Sequence, residues 1–133
     1  MKRNTDLGLL ILRVGVSVLM LLHGIAKLFS GLGGIKYLLA QAGLPDFMAY
    51  GVLVGEVVAP LLILIGWRTR PAALVLAGNC LVAMLLAHSG QIFTLSEQGG
   101  WAVELLGLYL IPSLALMFTG AGKYALSSTH KWD

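Results

Sequence analysis

The chain has 133 residues, 58% of them hydrophobic and only 11% charged, with a mean hydropathy of +0.87. That composition does not suit a water-exposed surface, which excludes an ordinary soluble domain. The net charge of +3 comes from nine Lys and Arg scattered at the ends of apolar stretches, a pattern that reads as membrane topology and not as a nucleic-acid interface.

In chain order, the first predicted element is an apolar span over Leu7–Phe29 that carries Arg13, His23 and Lys27. Met1–Leu22 also resembles a secretory leader, with a basic start and small residues after the apolar run, but Arg13 interrupts that run and the segment is read as a retained helix. At about 100° per residue, Arg13, Ser17, Met20, Gly24 and Lys27 fall on one stripe, with His23 beside it. Such a stripe must face protein or water. Gly31, Gly33 and Gly34 end the span, Ile35–Ala42 is expected to form a short interfacial helix, and Gly43 is its predicted C-terminal cap. Asp46 is the predicted N-cap of the second span.

The second span, Phe47–Trp67, holds Glu56 near its middle. Its Gly51 and Gly55 form a Gly-x-x-x-Gly pair that admits close packing, within the chain or across a homo-oligomer face. A tight Gly66–Pro71 hairpin makes the second and third spans antiparallel neighbours, with Pro71 in the first turn of the latter. The third span, Pro71–His88, contains Asn79, read as an interhelical hydrogen-bonding residue, and Cys80, read as a packing residue. The fourth, Trp101–Phe118, carries Glu104 and Pro112, the latter a candidate kink. Trp67 and Trp101 sit where aromatic rings anchor a helix at the membrane interface.

A crossing helix needs roughly 17–25 apolar residues, and all four stretches meet or approach that length. Open strands cannot cross lipid. The expected fold is therefore all-α: one domain over 1–133, an antiparallel four-helix bundle integral to the membrane. Lys2, Arg3, Arg68, Arg70, Lys123 and Lys131 fall on one side, against Lys27 and Lys36 on the other. The positive-inside rule then places both termini in the cytoplasm.

A rise of about 1.5 Å per residue puts Arg13 roughly 7 Å to the cytoplasmic side of the midplane and His23 a similar distance beyond it. The same reasoning brings His23, Lys27, His88 and Glu104 to similar depth, with Glu56 just beneath. These five are the candidate ligand or proton site; Arg13 and Asn79 are expected to be structural. Opposite charges at one depth are expected to pair, either as a network that only fixes helix register or as a pocket where a carboxylate and a histidine exchange protons with a bound redox-active or thiol substrate. Two histidines with no i, i+4 partner and a lone cysteine do not define a metal or haem site, and no metal or resident cofactor is expected.

Several segments together resemble the DoxX family of small four-helix bacterial membrane proteins. They are His23-Gly24-Ile25-Ala26-Lys27-Leu28, Gly43-Leu44-Pro45, Gly55-Glu56 followed by Leu64–Ala73, Val82–His88, and the ending Thr119–Ser127 with its Gly120-Ala121-Gly122-Lys123-Tyr124. The resemblance runs nearly end to end, and the Glu56 to Arg70 portion is its most specific part. It implies a multi-pass inner-membrane protein and, for some relatives, membership of membrane oxidoreductase complexes, including thiosulfate oxidation coupled to quinone and thiol or oxidative-stress defence. The sequence itself has no cysteine pair, flavin fingerprint or cluster motif. A redox role would then be that of an accessory subunit offering a membrane anchor or a quinone-facing surface to a redox protein partner, with quinone as bound substrate. Whether the chain itself catalyses is left open. The other function classes are a small proton-coupled transporter, whose usual weak charge bias this chain lacks, and a structural or assembly factor without a ligand.

Overall fold

The computed structural model describes residues 3–87, 90, 92–100 and 102–133. Its elements are five helices: α1 (Thr5–Ser30), α2 (Gly33–Gln41), α3 (Met48–Ile65), α4 (Thr69–Ala87) and α5 (Glu104–Thr119). Among the described residues, α1, α3 and α4 are long and apolar enough to cross a membrane, while α5 is a shorter apolar helix of 16 residues. The core is built where α1, α3, α4 and α5 meet, around Met20, Ile63, Leu76 and Leu116, while side chains such as Leu22, Phe29, Leu85 and Phe118 stay exposed on the outside. Large apolar side chains left on the outside, with Ala59, Ala72 and Ala73 among the residues packed inside, suit a helix bundle in lipid, where packing replaces the hydrophobic drive between helices.

The stripe on α1 is inward as expected: Arg13, Ser17, Met20 and Gly24 are all buried. Gly43, at φ +75°, ends α2 as the sequence suggests, and the Leu44 N–H turns back to the Leu39 carbonyl at 2.8 Å. Asp46 does not cap α3. That helix starts two residues later without a side-chain cap, and Asp46 supplies its backbone carbonyl to the Ala49 N–H. The Gly51/Gly55 pair also divides: Gly51 has open space around it, whereas Gly55 packs on Asn79 of α4.

Within α3 the backbone widens to a π-turn over Val54–Val58. The cause lies in Pro60. It has no N–H for the carbonyl of Glu56, so the regular ladder fails there and the Ala59 N–H bonds back to Val54 instead. Gly24 of α1 lies against the carbonyl thus released, so close that a Cβ on Gly24 would come within 2.5 Å of the Glu56 oxygen.

At the end of the bundle that carries the Gly66–Arg70 turn, the residues after α5 fold back over the helix termini. The last carbonyls of α3, which no intrahelical N–H can reach, are each accounted for. Leu62 accepts from the Gly66 and Trp67 N–H groups, Ile63 and Leu64 accept from the Arg13 guanidinium at 2.8 and 3.3 Å, and Ile65 accepts from the Leu126 N–H. Arg13 also donates to the Tyr124 carbonyl, tying the tail to α1. Arg70 does the same for α5, donating to the Met117 carbonyl at 2.7 Å. Arg68 holds Asp133 at 2.9 Å. Burial pulls the Asp133 carboxyl up, but hydrogen bonds from Ser127, the His130 N–H and Arg68 outweigh it and hold the group at about 2.

Candidate functional site

The opposite end of the bundle is hollow. A cavity of about 770 Å³ is bounded by all five helices, within the range of roughly 300–1,000 Å³ typical of small-molecule sites. Most of its wall is apolar: Val52 of α3, Val82 and Leu86 of α4, Leu106 of α5 and Leu38 of α2. Its polar residues are His23, Lys27 and Ser30 from α1, Glu56 from the π-turn, Asn79 from α4 and Tyr109 from α5.

These residues come together for local reasons. His23 and Lys27 are one helical turn apart and so share a face. The π-turn lies beside Gly24, where the absence of a side chain lets α1 and α3 approach. Lys27 Nζ then meets Glu56 Oε1 at 2.6 Å, with the lysine side chain about one third exposed and the glutamate almost fully buried. Asn79 donates to the same oxygen at 3.4 Å, a weak contact. Glu56 Oε2 is buried and has no hydrogen-bond partner among the described residues. A carboxylate this deep needs its cation, because an unpaired buried charge is strongly unfavourable. Lys27 has three N–H donors, spends one here and lines the cavity. The His23 ring meets the edge of Tyr109 in a T-shaped contact, centroids 5.8 Å apart.

Of the sequence-selected residues, the structure thus brings His23, Lys27 and Glu56 to one cavity and adds Asn79, which the sequence assigned only to structure. Glu104 is at the expected end but outside the cavity wall: it is exposed, with its carboxylate against Gly100. His88 lies outside the described residues. Arg13 stands at the far end, as expected. Tyr109 was missed; it lies in a nearly uniform apolar run, and only its being the single tyrosine of that span could have drawn notice. Cys80 is buried and unpaired. Among the described residues no group of three or more His, Cys, Asp or Glu could hold a metal ion.

Helices of membrane-crossing length, an apolar exterior and a polar-floored cavity define a small polytopic membrane protein with an internal cavity. The chain belongs to the DoxX family, whose model matches residues 8–89. It is similar to the Escherichia coli (strain K12) "Inner membrane protein YqjF", 35% identical over 99% of this chain and 100% of that one. It is also similar to the Bacillus subtilis (strain 168) "Putative oxidoreductase CatD", 30% identical over 95% of this chain and 89% of that protein. An uncharacterized Haemophilus influenzae (strain ATCC 51907 / DSM 11121 / KW20 / Rd) protein is 33% identical over 88% of this chain and 86% of its own length. No solved structure matches the chain significantly. Family, full-length inner-membrane relative and spanning helices together make this a multi-pass protein of the bacterial inner membrane.

Proposed function

We propose that the protein is a quinone-binding accessory subunit of an inner-membrane oxidoreductase system, and that the cavity between Lys27, Glu56 and Tyr109 receives the quinone ring. The observation that carries this reading is the pairing of an apolar chamber with a single ammonium group that lines it and spends one of its three donors on Glu56. A quinone matches that chemistry: an apolar ring and tail for the walls, and carbonyl oxygens that accept from Lys27. The oxidoreductase name of the Bacillus relative agrees with it.

In this reading the bundle spans the membrane with both termini and the tail-covered end in the cytoplasm, where the basic residues of the Gly66–Arg70 turn and the tail favour it. The cavity then opens toward the outer side. Reduction of the ring to its diol takes up an electron pair and protons. The electron pair comes from a reduced partner protein carrying a flavin or a dithiol, which is oxidised in the same step. Of the two protons the diol takes up, Lys27 donates one to the carbonyl oxygen it holds and is reprotonated from water in the cavity, drawn by the carboxylate of Glu56. The same water supplies the second.

The test is equilibrium binding of a short-tailed benzoquinone to the protein in lipid nanodiscs. Saturable binding is expected, weakened at least tenfold by Ala83→Phe, which fills the chamber from α4 without touching the Lys27–Glu56 pair. Absence of saturable binding to the unmodified protein, or undiminished binding by the filled variant, would sink the reading.

A further inference from the structure

The Lys27–Glu56 pair presents two unlike groups at one wall of the cavity. Lys27 donates and cannot accept, whereas an ionised carboxylate accepts only. Both residues line the space, and Glu56 is its only acid among the described residues. The two oxygens of that carboxylate are unequally used. Oε1 takes Lys27 at 2.6 Å and Asn79 at 3.4 Å, while Oε2 is buried and accepts nothing among the described residues.

A buried acceptor left without a donor is costly, and more so when it is charged. The Glu56 side chain is only 7% exposed, so bulk water is a poor source of that donor. An occupant of the cavity can bring one. The last torsion of a glutamate is broad, and a modest turn of the carboxylate is enough to meet it. A quinone has no such donor, because its ring oxygens only accept. In the reduced ring each oxygen is a hydroxyl, which accepts through its lone pairs and donates its own proton. One hydroxyl can therefore take an N–H from Lys27 and give its O–H to Glu56 Oε2.

We infer that the cavity holds the reduced, diol form of the ring more tightly than the quinone, and that Glu56 is the residue that discriminates between them. This rests on the quinone-site reading above and adds a redox-state preference to it. The Lys27 contact is common to both forms. The contact with Glu56 Oε2 belongs to the diol alone, and a hydrogen bond to a charged acceptor in a space of low dielectric is stronger than in water. Tighter binding of the diol raises the midpoint potential of the bound two-electron couple by about 30 mV for each tenfold difference in affinity. Electron uptake by the ring is thereby favoured where the ring is bound.

Three probes test this in lipid nanodiscs kept free of oxygen: a short-tailed benzoquinone, its hydroquinone, and the dimethyl ether of that hydroquinone, which keeps the ring and its oxygens but has no O–H. The hydroquinone is expected to bind at least tenfold more tightly than either of the others. This comparison needs no variant, so a folding failure cannot obscure it. In Glu56→Gln the amide oxygen goes to Lys27, and an NH2 group, itself a donor, replaces the orphaned acceptor. The preference for hydroquinone over benzoquinone should then fall below threefold. Hydroquinone binding no tighter than benzoquinone, an ether that binds as tightly as the hydroquinone, or a preference that survives Glu56→Gln would overturn the diol inference, while saturable benzoquinone binding keeps the quinone site standing. Failure of all three probes to bind would overturn both.

Discussion

The two ends of this bundle handle buried polar groups in opposite ways. At the tail-covered end, cations meet backbone carbonyls: Arg13 closes the C-terminus of α3 and Arg70 that of α5, while Arg68 fastens Asp133. Most donors there reach carbonyls, although Arg13 Nε and Thr69 Oγ1 are buried without a partner among the described residues. Gly66 shows how tightly this end is fitted: it has φ +77°, and a Cβ on it would lie 2.4 Å from that of Ala125 and 2.6 Å from the Arg13 guanidinium. At the other end a cation meets a carboxylate instead, α2 and α5 start uncapped, and a chamber remains. One end is assembled to stay closed. The other keeps a chamber of about 770 Å³ beside its polar groups, which is what a ligand needs.

Removing Arg13 should break this contrast most severely. In Arg13→Met the carbonyls of Ile63, Leu64 and Tyr124 lose their donor, the first fully buried and the other two partly so. Each stranded group costs about 1–3 kcal/mol, and the favourable charge at the end of the α3 dipole goes with them. A loss on the order of 2–4 kcal/mol is expected from one fully buried and two partly buried carbonyls left without their donor. It should be read as a lowered unfolding midpoint in detergent together with faster proteolysis after Gly120, because the tail is released from α1. Unchanged tail proteolysis would show that Arg13 is not the fastening.

The cavity end should respond differently to a change of similar size. Gly24→Val places methyl groups where the Glu56 carbonyl and Val57 now lie, at 2.5 and 2.7 Å from the new Cβ. Backbone cannot yield as a side-chain tip does, so α1 and α3 must separate. Overpacking of this kind costs about 1–3 kcal/mol. The sharper consequence is geometric: parting the helices pulls Lys27 from Glu56, so quinone binding should fall by more than tenfold while tail proteolysis stays at the unmodified rate. If tail and cavity fail together, the two ends are not independent units.

Much of this division can be read in the residues themselves, though unevenly. The 3.6-residue stripe from Arg13 to Lys27 is visible because helix geometry alone places it, and the pairing of Lys27 with Glu56 follows from charge cost and common depth. Depth does not give direction around a helix axis, however. That is why Glu104, at the expected height, could be grouped with residues whose cavity it does not line. The π-turn was signalled by Pro60, whose missing N–H falls one turn after Glu56, but a proline in an apolar run reads more readily as a simple kink. The returning tail carries no periodicity at all. Its position depends on carbonyls at the ends of α3 and α5, which are properties of the finished helices and not of any local sequence pattern.

Glu104 supplies the smallest expected effect and the most discriminating control. It stands in the first turn of α5, exposed, where a carboxylate interacts favourably with the helix dipole. Glu104→Gln should therefore cost no more than about 0.5 kcal/mol, in line with surface substitutions. If depth alone defined the site, this change would matter as much as one at Glu56. With the site defined instead by the cavity wall, benzoquinone affinity should stay within twofold of the unmodified protein. A marked loss of benzoquinone affinity would mean that Glu104 contacts the ligand and that the wall is drawn in the wrong place.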